Sequence, residues 1–327
     1  MIIETRHHLR VHSDLGEYGA EAVRRGLLEK GLEKIPSVRT INRIFERWGQ
    51  LDHHRTQRRK APPKGWYLPE VAEQRCKLDE FDLVEGLKIK DGPLVEVLNV
   101  VSLHGGLAGS WPQAASIKAT DVVQALSRHW QSWGLPGCAQ FDNDALFQGA
   151  HQRRDTISQV MRLCLSLGVT PVFVPPAEKG FQAAIEGYNG KWQAKVWARF
   201  THESLGSLQR TSARYIKTYC QRTRQRQDSA PQRGLFPKQW QLDLQVHPAD
   251  YPAARMVYIR RTNQQGMVTM LGRSFPVDRN WTGRLVRCEV LLTEARICFY
   301  QLRRRAPKEQ PMLNEIHYEI PRRPFRN

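Results

Sequence analysis

"FDLVEGLKIKDGPLVEVLNVV", residues 81–101, decides the fold. Two β-rich runs, "LVEGLKI" (83–89) and "LVEVLNVV" (94–101), flank "KDGP". The Asp-Gly-Pro chemistry of that link is that of a turn, so the segment reads as two antiparallel strands. A further short strand is expected from Leu107 to Trp111. Beyond it the pattern alternates. Thr120 is placed to cap a helix carrying Val122, Val123, Leu126, Trp130 and Trp133. "GCAQF" (137–141) reads as a short buried strand, and Ile157, Val160, Met161, Cys164 and Leu167 mark another helix. "VTPVFV" (169–174) is a strand and "FQAAIEGYNGKWQAKVWARF" (181–200) a long helix. Three antiparallel strands, helix, strand, helix, strand, helix make a mixed α/β layer architecture.

The flanks differ from this core. From Leu15 to Gly49 the periodicity is helical, with Ala22, Val23, Leu27 and Leu28 in one stripe and Val38, Ile41, Ile44, Phe45 and Trp48 in a second. Ser37 is placed to cap the second helix, because its hydroxyl can accept a free backbone N–H of the first turn. Arg39, Asn42, Arg43 and Arg47 occupy the opposite face, which suits a recognition helix reaching phosphates and base edges. A plain helical hairpin with a solvated face fits the same pattern. Residues 51–69, with Arg58, Arg59 and Lys60, lose periodicity and gain Pro and basic residues, as a linker lying along DNA would. After the long helix comes a basic helical stretch with Leu205, Leu208, Tyr215, Ile216 and Tyr219. Past Tyr251, short alternating segments such as "RMVYIRR", "GRLVRCEVLL" and "ARICFYQLR" suggest a small β-barrel. The expected division is 1–50 helical, 51–75 linker, 76–230 core with basic extension, 231–310 barrel and 311–327 basic tail.

Composition bounds the function. The chain of 327 residues has 50 Lys and Arg against 32 Asp and Glu, a formal charge of +18, which points to a polyanionic partner, most simply nucleic acid. The six cysteines, at 76, 138, 164, 220, 288 and 298, contain no CxxC pair, so neither a zinc module nor a secreted disulfide framework is indicated. Apolar runs fall short of the roughly 18 residues a membrane span needs. A cytosolic protein with no membrane partner is expected.

Three acids fall at matching places in the core. Asp82 lies at the start of the first strand, Asp142 ends the later strand in "FDNDALFQG" (141–149), and Glu186 is on the long helix. Strand ends of an α/β sheet open onto a crevice where ligands bind. Two or three carboxylates with substrate phosphate suffice for Mg²⁺, and two such ions, about 3.5 to 4 Å apart, can drive an in-line phosphoryl displacement. Glu178 is the rival acid, but "PPAEKG" (175–180) is a Pro- and Gly-bounded loop. On the helix, Phe181, Ile185, Tyr188, Trp192 and Val196 form the buried stripe, and Gln182, Glu186, Asn189 and Gln193 share a polar face. Glu186 is therefore preferred. Asp144 reads as a cap of the turn after Asp142 rather than a ligand.

"EFDLVEG" with Asp82, "FDNDALF" with Asp142 and "KGFQAAIEGYNGKWQ" with Glu186 and Asn189 resemble the retroviral-type integrases and the related DDE transposases of bacterial insertion elements and phages. The resemblance covers roughly residues 76–230. It implies an RNase H-like core, a mixed sheet with flanking helices. This core would be preceded by a helix-turn-helix domain, in "PSVRTINRIFERWG" (36–49), and followed by a small all-β barrel. It also implies two Mg²⁺ or Mn²⁺ ions held by Asp82, Asp142 and Glu186, and a homo-oligomer on DNA in a nucleoid-associated setting. Accessory transposition proteins are further partners it allows. The activity implied is cleavage at element ends and transfer of their 3′-hydroxyls into target DNA. The sequence departs from the family pattern at Asp144, where Gly is common, at Asn99, where an Asp is common, and at Gln193, where a basic residue is frequent; Lys191 and Lys195 stand nearby as substitute DNA contacts, and Asn189 is expected to meet DNA with them. Two other readings are a catalytically silent relative acting as a DNA-binding regulator and a structure-selective nuclease on the same fold.

Overall fold

The computed structural model describes residues 1–50, 63–150, 153–178, 180–252 and 254–322. Arg58, Arg59 and Lys60 lie outside the described residues.

Three helices open the chain: α1 (Ile2–His12), α2 (Ala20–Glu29) and α3 (Val38–Arg47). The Ser37 side chain accepts from the Thr40 N–H at 3.2 Å, so α3 starts where its cap dictates. Val23, Leu27, Ile41 and Phe45 form the small apolar core of this unit, joined by Ile2, Ile3 and Leu9 of α1. Leu28 and Trp48, expected in the buried stripes, are exposed, and α1 was not anticipated. Three basic side chains behind the unit close it onto the rest of the chain. Lys195 donates to the Gly16 carbonyl at 2.9 Å, Arg214 pairs with Asp14 at 3.1 Å, and Arg222 pairs with Glu17.

A short α4 (Pro69–Ala72) precedes β1 (Leu78–Lys88), β2 (Leu94–Ser102) and β3 (Ala108–Ala114), which pair antiparallel. Pro112 is tolerated in β3 because that strand is at the edge of the sheet and loses no obligatory ladder bond. Helix α5 (Ala119–Trp133) follows, capped at Lys118 rather than at Thr120; the Asp121 carboxylate accepts the Lys118 N–H at 2.8 Å. Then come β4 (Cys138–Phe141), α6 (Ala145–Gln148), α7 (Gln159–Ser166), β5 (Thr170–Phe173) and α8 (Ala183–Trp192). The long helix expected over 181–200 is α8 followed by a π-helical turn at Gln193–Trp197. Two further helices, α9 (Leu205–Arg222) and α10 (Arg224–Ser229), complete the middle of the chain.

Strand parity sorts the core into layers, because alternate side chains point to opposite faces. Phe81, Leu98 and Val100 pack against Leu126 and Trp130 of α5. Val84, Val95, Val97 and Val101 pack against Ile185, Tyr188 and Trp192 of α8 and Leu208 and Tyr215 of α9. The sheet is thus covered on both faces, which is why β2 reads as a nearly unbroken apolar run.

The C-terminal strands correct an expectation. In place of a separate small barrel, β6 (Arg255–Arg261) pairs parallel with β5 through Val172↔Val257 and Phe173↔Tyr258. The hairpin of β7 (Met267–Met270) and β8 (Arg273–Pro276) is a two-stranded sheet of its own. Strands β9 (Leu285–Leu291), β10 (Arg296–Gln301) and β11 (Met312–His317) continue beyond β6, giving, among the described residues, one open sheet of nine strands in the order β11-β10-β9-β6-β5-β4-β1-β2-β3. β11 falls where a basic tail was expected. The physical reason is the outer edge of β5: its unpaired backbone groups accept a strand, and the Phe173 and Tyr258 rings stack across the junction at 5.0 Å. The apolar core runs through the seam without a break, from Phe141 and Phe173 to Val286 and Phe299.

Candidate active site at the strand ends facing α8

The parity that builds the layers also sorts the acids of β1. Asp79 shares a face with Phe81 and points toward α5, where it is fully buried. There it accepts two hydrogen bonds from the Arg233 guanidinium, at 2.9 and 2.6 Å, and one from the Trp130 indole at 3.3 Å. Arg233 holds its carboxyl below the usual range in spite of burial. This acid is spent on structure. Glu80 and Asp82 share the opposite face with Val84 and look toward α8.

Register places two of the three acids side by side. In the parallel β1–β4 ladder the last pair is Glu80↔Gln140. Asp82 and Asp142 each stand two residues beyond it, on neighbouring strands. Asp82 is within β1, which begins at Leu78 and not beside Asp82 as expected, whereas Asp142 has just left β4. Both are half-buried. Burial first, then the neighbouring Asp142 carboxylate and more weakly that of Glu186, push the Asp82 carboxyl up to about 6. Glu186 lies in the first turn of α8, exposed.

A chain of amides fixes this group. Asn189, one turn after Glu186, donates to an Asp82 oxygen at 2.7 Å and accepts from the Asn99 amide at 2.8 Å. Asn99 is the direct cross-strand partner of Asp82. Asn189, expected as a DNA contact, is thus buried and orients the carboxylate. Glu80, not singled out from the sequence, accepts the Ile185 N–H at 2.9 Å, and burial pushes its carboxyl up to about 8. Its signal was parity with Asp82, two residues away on one strand face.

The loop after β4 is tied down by its own side chains. Asp142 accepts the Asp144 N–H at 2.9 Å, and Asp144 caps α6 by accepting from Leu146 N–H at 2.7 Å. Asn143 donates to the Val174 carbonyl at 2.7 Å and accepts from Gln148 at 2.6 Å. Glu178 is engaged elsewhere, in ion pairs with Arg261 and, at 3.4 Å, with Arg304.

The basic residues expected to meet DNA are dispersed. Arg39, Arg43 and Arg47 are exposed on α3, and half-buried Asn42 lines a cleft with Lys195. Lys195 itself is turned to the Gly16 carbonyl and the Tyr18 ring. Lys191 is exposed on α8. Among the described residues no helix is long and apolar enough to cross a membrane.

No protein-family model matches the chain, and no curated protein matches it. Solved structures similar to it include the catalytic core domain of BIV integrase, at 17% identity and a TM-score of 0.32, covering 42% of this chain and 80% of that one. The HTLV-2 integrase catalytic core domain in complex with magnesium is similar at 14% identity and a TM-score of 0.32, with 43% and 83% covered. A simian T-cell lymphotropic virus intasome, in complex with the PP2A regulatory subunit B56 gamma, is similar at 13% identity and a TM-score of 0.35, with 57% and 62% covered.

Proposed function

We propose that the chain is a metal-dependent polynucleotidyl transferase with an RNase H-like core, a DNA transposase or integrase that cuts element ends and joins their 3′-hydroxyls to target DNA. The observation that carries this reading is the side-by-side placement of Asp82 and Asp142 beyond the Glu80↔Gln140 pair, with the Glu186 helix packed over them.

The donor set fits Mg²⁺ or Mn²⁺. Carboxylate oxygens are what hard divalent cations take, and a cation would offset both the burial and the neighbouring Asp142 charge that raise Asp82. Asp82, Asp142 and Glu186 would hold the two ions. Among the described residues no three such side chains are already gathered for an ion, in keeping with Glu186 standing exposed on its helix. When bound, the ions would supply charge neutralisation and Lewis acidity for the phosphoryl transfer. The chain's own residues do the positioning: Asn189 and Asn99 aim Asp82, and the Asp144 cap with the Asn143 bonds holds the backbone at Asp142.

Double-stranded DNA, element ends and target, is the proposed partner, supported by the charge of +18 and by exposed Arg39, Arg43 and Arg47 on a capped helix. Residues 1–50 are proposed as the helix-turn-helix unit that binds ends, and assembly as a homo-oligomer on DNA belongs to the same reading. Glu186→Gln is expected to abolish metal-dependent nicking and joining of a terminal-repeat oligonucleotide while leaving DNA binding intact. Full activity in that variant, with loss in Glu178→Gln, would overturn the assignment.

A further inference from the structure

β1 and β4 carry a second matched pair beside the aspartates. Glu80 and Gln140 are cross-strand partners, and each stands two residues, about 6.6 Å of extended chain, before an acid of the site. Parity sends both to the α8 face, where each is no more than 1% exposed. Both side chains end at the entry to α8. Glu80 accepts the Ile185 N–H at 2.9 Å, and Gln140 donates to the Phe181 carbonyl at 2.9 Å. The Tyr67 hydroxyl donates to the Gln140 side-chain oxygen and stands 3.2 Å from the same carbonyl. A carbonyl only accepts, so the amide nitrogen of Gln140 must face Phe181 and its oxygen Tyr67.

The two backbone groups they hold are the halves of one missing bond. In a continuous helix the N–H of residue 185 would bond to the carbonyl of residue 181. Here α8 begins at Ala183, the Glu186 N–H donates to the Gln182 carbonyl at 2.9 Å, and Gln182 supplies no side-chain cap. Glu80 takes the free N–H and Gln140 the free carbonyl. Either group, left unpaired away from water, would cost the fold free energy. The point at which α8 starts is therefore set from two strands and not by the helix itself. Glu186 directly follows Ile185, so the same bonds fix the turn from which it projects.

We propose that Glu80 and Gln140 are positioning residues that clamp the first turn of α8 to both aspartate-bearing strands, so that Glu186 is presented from a fixed point relative to Asp82 and Asp142. The proposal rests on the transferase reading above, which takes Glu186 as a metal ligand. A bond to β1 alone would leave the turn free to pivot about it; the second, to β4, removes that freedom. A carboxylate on a loosened turn would lose more conformational freedom on reaching an ion, and its affinity would fall accordingly.

The test compares Glu80→Met, Gln140→Met and Glu80→Gln in the full chain by two readouts that need no cleavage. Amide hydrogen exchange in EDTA, read by mass spectrometry, reports the hold itself. Peptides across 181–189 should exchange about 5- to 10-fold faster in both Met variants and at the wild-type rate in Glu80→Gln, which keeps an acceptor oxygen; peptides of β2 and α9 should be unchanged. Mn²⁺ titration followed by water proton relaxation reports the consequence. Affinity should fall about tenfold in both Met variants and be retained in Glu80→Gln. Partial unfolding would lower the number of Mn²⁺ sites and leave their affinity alone, so it is told apart. In a Glu186→Gln background, Glu80→Met should weaken Mn²⁺ no further, because the pair acts through Glu186. Faster exchange with unchanged Mn²⁺ affinity would make the pair a support of the fold alone. Additive losses in the Glu186→Gln background would mean that it acts on the aspartates, and wild-type exchange in both Met variants would remove the clamp; each of these results overturns the proposal. A wild-type chain that binds Mn²⁺ in these titrations and yet nicks no terminal-repeat oligonucleotide would sink the transferase reading alone.

Discussion

The Asn189 side-chain amide donates to the Asp82 carboxylate at 2.7 Å while its carbonyl oxygen accepts from Asn99 at 2.8 Å. One helix residue therefore bridges β1 and β2 and sets the direction of the Asp82 carboxylate. Removing that link should cost positioning and leave the fold intact. Asn189→Ala is expected to slow metal-dependent nicking by about 10- to 100-fold, the usual size for groups that orient a ligand, with DNA binding retained. Activity within twofold of wild type would show that Asp82 needs no such partner.

Asp79 should be a stability residue, although it is only three positions from Asp82. It is wholly buried and bound by Arg233 through two hydrogen bonds. Asp79→Asn leaves a buried guanidinium without its counter-charge, an arrangement that typically costs about 3–5 kcal/mol. Urea unfolding of the variant should show that loss; a midpoint shift too small to measure would mean the pair is unimportant.

Glu80 gives the fold a pH dependence. Its folded-state carboxyl is raised to about 8 from an ordinary value of 4.5. Between those values the folded chain binds the proton more tightly than the unfolded chain, so stability falls as pH rises through that window. Unfolding free energy should thus be lower at pH 8 than at pH 5, and Glu80→Gln, which keeps an oxygen for the Ile185 N–H, should remove part of the decline. Parallel pH profiles for the variant and the wild type would rule Glu80 out as the cause.

The seam between β5 and β6 predicts that the C-terminal strands cannot be cut away. A chain ending at residue 250 would bare the β5 edge with Val172 and Phe173, which pair with Val257 and Tyr258 in the intact protein. An unpaired apolar edge inside a sheet invites association, so this fragment is expected to aggregate on expression. A soluble, folded monomer by light scattering and circular dichroism would instead mean that the two halves fold apart. In the full chain, Phe173→Ala removes a ring stacked on Tyr258 and should cost about 3–5 kcal/mol.

Much of this was legible in the chain. The strands of 81–101, the short strands "GCAQF" and "VTPVFV", the Ser37 cap and the buried stripe from Phe181 to Val196 follow from periodicity and turn chemistry, which are local properties. Asp144 as a cap belongs with them, since an Asx cap is decided within three residues. The same locality limited the reading. Asp79 and Asp82 are alike in sequence, and only β1's register against β2 and β4 sends one to Arg233 and α5 and the other to Asn189 and α8. Lys195 looked free on its helix until the N-terminal segment folded back to place the Gly16 carbonyl beside it. The C-terminal strands carried the alternation of a barrel but not the identity of the edge they would join. The sequence by itself determined most of the strands and helices between β1 and α9 and marked Asp82, Asp142 and Glu186 as eligible acids. Only the tertiary structure decided which neighbours each strand and each carboxylate has, because pairing between distant segments is chosen by shared burial and backbone hydrogen bonds that no single window of residues contains.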